Sequence, residues 1–225
     1  MSALAAALAV VAFAAAPSAP PACARFPSAG DARQLITVEA PTYRTTHATL
    51  RLWSRGTGAC WTAAGGPWAA RVGRNGLSGN RREGDGTTPT GVYGIAPVMY
   101  GTAPDPGVRF AYRRLLCGDW WNEDAASPTY NSFQHVACGR RPPFRVFTPG
   151  MWEQPRAYPH LAVVEFNMHP VVPGRGSGIF LHAQTGGPTS GCISLERATL
   201  VRVLRWLRPD ARPQIAIGTP AEIRR

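Results

Sequence analysis

Lysine is absent from this chain of 225 residues. All 24 basic residues are arginine, and with only 13 acidic residues the formal charge is +11. Such an excess attracts nucleic acid, anionic lipid or anionic cell-wall polymers, and charge does not choose among them. The arginines are scattered, with a modest concentration at Arg197, Arg202, Arg205, Arg208 and Arg212, and no nucleic-acid-binding module accompanies them. The missing lysine fits a coding bias better than selection for phosphate binding, and nucleic acid ranks last as a partner. Repeats, heptad runs and low-complexity tails are also lacking, which excludes solenoids and coiled coils. The apolar run from Leu4 to Ala16 falls short of the roughly 20 residues a membrane-spanning helix needs. His47, His135, His160, His169 and His182 show no close ligand spacing with each other or with the cysteines, so no metal site and no cofactor are expected. No Gly-x-Ser-x-Gly elbow surrounds Ser190, which argues against a serine nucleophile there.

What is present begins with an export signal. The uncharged run from Leu4 to Ala16 gives way to Pro17, Ser18, Pro20 and Pro21, and residues 1–24 read as a signal region. Two cuts remain open: Ala22-Cys23-Ala24 fits the small-x-small rule and discards Cys23, while a cut before Cys23 keeps it. Export places the protein in the extracytoplasmic envelope, with no membrane anchor after processing. Five cysteines in an exported chain suggest two disulfides and one thiol left over. Cys117 and Cys138 bracket a polar, aromatic loop that a bridge would pin, and Cys23 pairs with Cys60 if it survives processing.

Glycine and proline, 24 and 22 residues, are spread among apolar segments, a pattern of many turns between short strands. Residues 35–38, 48–53 and 61–72 read as strands, and Asn75-Gly76 favours a tight turn. Residues 79–91 form a glycine-rich polar loop of the kind that is usually functional. Residues 110–147 read as an elaborated loop region close to the active site, and 161–168, 178–182 and 214–217 as further strands. One helix is expected to start at N-cap Ser194, with Glu196 in its first turn, an inward face of Leu200, Val203, Leu204 and Leu207, and a stop at Pro209. The fold class is mainly β and sandwich-like, with one C-terminal-side helix and elaborated loops. Residues 25–69 supply N-terminal strands packed on or leading into a catalytic domain at 70–225.

Chemistry concentrates in residues 179–195. A strand delivers His182, a Gly/Pro turn reverses the chain, and Thr189-Ser190-Gly191-Cys192 arrives before the helix. A nucleophilic thiol needs a route to the thiolate, a nearby base and donors for the oxyanion. His182 and the following helix N-terminus supply the first two on this reading, and backbone N–H groups at Gly191 and Cys192 the third. Ser190 and Thr189 are placed to orient the imidazole or to bind substrate. An isolated cysteine is as often a small buried hydrophobe, and a strand-end histidine is more often structural; joint occurrence shifts the balance toward chemistry.

Residues 179–195 resemble the signature of the L,D-transpeptidase (YkuD-type) catalytic domain, in which a strand-end His precedes a Ser/Thr-x-Gly-Cys segment. Thr87-Thr88-Pro89-Thr90-Gly91-Val92-Tyr93 is similar to the family's Thr-Pro-x-Gly segment, and the likeness covers roughly residues 70–218. It implies a β-rich fold and a Cys192 thioester with a peptidoglycan stem tetrapeptide, releasing D-alanine and passing the acyl group to an amine of another stem. Two departures stand out: Ser194 lies where many members carry Arg, and Ser190 where many carry a second His. Arg175, or an arginine of the 81–82 loop, is the expected source of the missing positive charge. Tyr93 and Asn167 are expected at the groove wall. Two other outcomes stay open: hydrolysis of wall peptides on the same scaffold, and a non-catalytic wall-binding protein gripping through Trp120, Trp121, Trp152 and Tyr158.

Overall fold

The computed structural model describes residues 23–224. The expected signal region, apart from its last two residues, lies outside the described residues. Thirteen strands are present: β1 Gln34–Glu39, β2 His47–Ser54, β3 Thr62–Arg71, β4 Leu77–Ser78, β5 Thr88–Pro89, β6 Gly91–Gly101, β7 Ala111–Arg114, β8 Asp119–Asn122, β9 Ser132–His135, β10 Leu161–Val164, β11 Phe180–Ala183, β12 Ile193–Leu195 and β13 Gln214–Gly218. The described residues also hold two α-helices, α1 Arg197–Trp206 and the short α2 Pro220–Ile223.

Nine strands form one sheet in the order β10-β11-β12-β3-β2-β1-β13-β6-β7, and β10 pairs back onto β6. The sheet therefore curls until its two halves face each other, enclosing a core as a sandwich does without leaving the β10 edge open. Strands β1 to β3 are integral to it, since β1 pairs in parallel with β13 and β3 pairs antiparallel with β12.

Alternation explains where the site sits. In β11, Leu181 and Ala183 point into the main core together with Ile193 and Leu195 of β12 and Leu200, Val203 and Leu204 of α1. Phe180 points to the opposite face, into a second cluster that contains Cys192, Trp121, Leu161 and Val163. With a side-chain period of two, His182 shares the Phe180 face, and Ser194 shares that of Cys192. Each fully buried Leu or Ile contributes about 1.5–3 kcal/mol. This core holds β11 and β12 in fixed register while their other faces carry polar groups.

The helix starts later than the sequence indicates. Ser194 is a strand residue, and Glu196 is the N-cap, its carboxylate accepting from Ala198 N and Thr199 N, each at 3.0 Å. Ile193-Ser194-Leu195 alternates apolar, polar, apolar and is paired on both sides, by β11 and β3. Two ladders outweigh the capping preference of one serine. The inward face of α1 is otherwise as expected, and the chain leaves it at Leu207, two residues before Pro209.

Disulfides join Cys23 to Cys60 and Cys117 to Cys138, leaving Cys192 as the free thiol among the described residues. The second bridge closes the β8–β9 hairpin, whose following loop borders the site.

Candidate active site

Cys192 lies just before β12, 9% exposed, in the lining of a cavity of about 660 Å³. Its thiol donates to the Gly178 carbonyl at 3.3 Å, and its sulfur accepts from Phe180 N at 3.4 Å. His182 sits on the adjacent strand directly opposite Ser194, so Cys192 and His182 are diagonal neighbours on one face. His182 Nδ1 lies 2.8 Å from the Ala183 carbonyl. Because a carbonyl only accepts, Nδ1 carries the proton and Nε2 is left as the basic nitrogen. Orientation of the imidazole thus comes from backbone, with Tyr158 packed edge-on at 5.5 Å, and not from Thr189 or Ser190.

Burial dominates the electrostatics. It pushes the Cys192 thiol up to about 11, against the smaller downward pulls of the Phe180 N–H and the Arg81 charge, while Glu123 adds to the rise. Burial also lowers the His182 pKa below 6.5, partly countered by the carbonyls of Ala183 and Ala157. The resting pair is therefore a neutral thiol and a neutral imidazole. The expected contribution of a helix N-terminus is missing, because α1 begins after Glu196, roughly 13 Å along an extended chain from Cys192.

The Thr-Ser-Gly turn is a scaffold. Thr189 Oγ1 accepts from Gly191 N at 3.0 Å and donates to the Cys192 carbonyl at 2.6 Å. The Gly191 N–H is therefore already committed. Thr88, buried in β5, accepts from Gly73 N and donates to the Gly191 carbonyl, both at 2.8 Å. That bond ties the Thr-Pro segment to the cysteine loop across about a hundred residues of chain. Ser190 Oγ accepts from Arg74 at 3.1 Å, and both residues line the cavity.

The wider groove has charges of both signs. Arg74, Arg81 and Arg145 line it, as do Glu83, Glu123 and Asp124. Arg81 has only 4% of its side chain exposed; its Nη1 donates to Asp85 at 3.3 Å and to the Thr87 carbonyl, while its Nε has no partner. Gly191 makes room for it. At φ +144°, a Cβ there would meet the guanidinium carbon at 2.8 Å. Arg175, by contrast, is exposed and outside the cavity lining. Tyr93, whose hydroxyl donates to the Thr90 carbonyl, and Asn167, which closes the 167–176 turn through Val172 and Gly176, are half-buried and also outside it. Of the four aromatics expected to grip a wall polymer, only Tyr158 lines the cavity. Trp120 packs on Trp152 at 4.9 Å and Trp121 on Phe180 at 5.1 Å.

The family model for the YkuD L,D-transpeptidase catalytic domain matches residues 33–223. The chain belongs to that family. Its match starts at residue 33, ahead of the sequence likeness at 70, and so takes in β1 to β3. No curated protein matches the chain. L,D-transpeptidases of this family are cysteine-dependent and act on peptidoglycan peptides, and the two disulfides fit an extracytoplasmic setting. In this L,D-transpeptidase domain, Ser194 stands buried beside His182 with its hydroxyl unpartnered. Of the two expected sources of positive charge, the 81–82 loop is the one that reaches the cavity, through Arg81. Glu123 was not individually visible as a site residue in the sequence; its only signal was the length and polarity of the 110–147 region that carries it.

Proposed function

We propose that this domain is a peptidoglycan L,D-transpeptidase with Cys192 as nucleophile and His182 as base. The carrying observation is Cys192 in the cavity lining, on the same sheet face as an imidazole whose Nε2 is left basic by the Nδ1–Ala183 bond. Both groups rest neutral, so proton transfer accompanies attack. Rotation about the Cys192 Cα–Cβ bond carries the thiol from the Gly178 carbonyl toward Nε2. The sulfur attacks the carbonyl that joins the third residue of a tetrapeptide stem to its terminal D-alanine. The proton on Nε2 passes to the leaving nitrogen, and D-alanine departs.

With the Gly191 N–H committed to Thr189, the N–H of Cys192 is the oxyanion donor in this reading. Arg81 takes the place of the arginine that many members carry two residues after the cysteine, and receives the D-alanine carboxylate. Its burial at the cavity wall supports this role over the exposed Arg175. A second stem amine then takes the acyl group, or water does. In this reading processing leaves Cys23 in the secreted chain, which the Cys23–Cys60 bond and the pairing of Ala24 with Trp61 support.

The test is intact-mass spectrometry of oxidised wild type and Cys192→Ala after incubation with a tetrapeptide muropeptide. The expected result is a wild-type adduct equal to donor minus D-alanine, absent from the variant. Free D-alanine without an adduct, abolished in Cys192→Ala, would point to fast hydrolysis. Absence of both across several donors would leave the wall-binding reading standing.

A further inference from the structure

We infer that Glu123 is the acceptor-side catalytic residue, a carboxylate placed to bind the ammonium of an incoming primary amine and to take its proton before the amine attacks the Cys192 thioester. The inference rests on the acyl-transfer reading above.

Glu123 follows β8 directly and lines the same cavity as Cys192. One oxygen, Oε2, accepts from Thr148 Oγ1 at 3.1 Å. The other lies against Gly178: a Cβ built there would be 3.4 Å from Oε1. Gly178 is also the residue whose carbonyl holds the Cys192 thiol at 3.3 Å. Carboxylate and thiol thus flank one glycine, at φ +60°, where a side chain would press on both the Trp121 ring and the Glu123 carboxylate.

Charge distinguishes the two half-reactions. While Cys192 is free, the Glu123 carboxylate opposes its ionisation. Once the sulfur is acylated it has no charge to form, and that opposition is gone. The same carboxylate, withdrawn from water and with its own pKa raised by burial, then favours a cation in the cavity. An alkyl ammonium titrates near ~10.4, so the free amine is a small minority at neutral pH and attack needs a proton acceptor.

The step balances as follows. Glu123 takes one proton from R–NH3+, and the neutral nitrogen attacks the thioester carbonyl carbon. The new C–N bond forms, the C–S bond breaks, and the electron pair returns to Cys192 sulfur. The second nitrogen proton passes through His182 Nε2 to that sulfur. An amide, a thiol and a neutral Glu123 carboxyl result, and the carboxyl returns its proton to solvent.

The test uses the full oxidised chain, a tetrapeptide donor and two amine probes. Ethylamine is charged at pH 7, whereas 2,2,2-trifluoroethylamine is neutral and needs no deprotonation before attack. Acyl-enzyme formation is followed by intact mass, and the two amide products are quantified for wild type, Glu123→Gln and Glu123→Asp. In Glu123→Gln the ethylamine-to-trifluoroethylamine product ratio is expected to fall about tenfold or more, the worth of a charge-assisted hydrogen bond, with acylation retained. Glu123→Asp should recover part of that ratio. An unchanged ratio in Glu123→Gln, with acyl-enzyme present, overturns the inference and leaves the transpeptidase reading intact. Should Glu123→Gln fail to acylate, the comparison moves to Glu123→Asp against wild type, where an unchanged ratio again overturns it. Failure of wild type to give a Cys192 adduct, free D-alanine or either amide product removes both readings.

Discussion

Alkylation of Cys192 as a function of pH tests whether burial governs its chemistry. A thiol at about 11, against an ordinary 9.0, is disfavoured as an anion by about 2.7 kcal/mol. At pH 8 that leaves roughly one thiolate in a thousand, compared with roughly one in ten for an unperturbed group. The assay is iodoacetamide labelling of the oxidised protein from pH 7 to 10, with the modified cysteine located by peptide mass. The second-order rate should climb about tenfold per pH unit across the whole range. Burial also slows reagent access, but access scales the curve and does not change its slope. Arg81→Met should slow labelling further at each pH, because the guanidinium lowers the thiol pKa. A rate that levels off below pH 9 would refute the argument and restore a thiolate stabilised at rest.

Three more outcomes follow from the same geometry. Gly191→Ala places a β-carbon at φ +144° against Arg81 and the Thr87 carbonyl, so we expect a stability loss of about 1–3 kcal/mol by denaturant unfolding, with acylation falling further than stability alone explains. Unchanged acylation would separate Arg81 from the donor. Thr88→Val leaves the Gly73 N–H and the Gly191 carbonyl without their buried partner and should cost about 1–3 kcal/mol; a loss under half a kcal/mol would show that the loop re-pairs. The acylation rate should have an acid limb centred below pH 6.5. His182 works as a neutral base, burial lowers its pKa, and activity is lost only as pH falls through that lowered value. Measuring the limb in Glu123→Gln as well separates the carboxylate's own titration, and a midpoint above 6.5 would contradict burial as the dominant cause.

The parts of this fold that follow local rules were legible in the sequence. Strands β1, β2, β3 and β13 lie within one residue at either end of the segments 35–38, 48–53, 61–72 and 214–217 read as strands from the sequence. The inward face of α1 is the set of leucines and the valine that its period gives. The segment 161–168 fared less well. Only its first four residues are strand, and Asn167 turns the chain at φ +53°. An asparagine tolerates that region at low cost, and its side chain closes the turn that Val172 and Gly176 complete.

The helix start was misread for a reason that bears on mechanism. A serine before an apolar periodic run satisfies the capping rule, but that rule takes no account of strands contributed from elsewhere. Here β3 and β11 claim Ser194 through pairing with residues at Arg71 and His182. Moving the cap to Glu196 takes the helix dipole away from Cys192, and the thiol loses the local aid that the sequence promised. What remains near it comes from distant loops: Arg81 held by Asp85 and the Thr87 carbonyl, Thr88 bonded to the Gly191 carbonyl, and Glu123 beside Gly178. Each of these is set by closure of the sheet, which brings Arg81, Glu123, Gly178 and residues 190–192 to one cavity. The proposed nucleophile and base are a pair of residues close in sequence; the charges around them are non-local, and no spacing rule within one segment contains them.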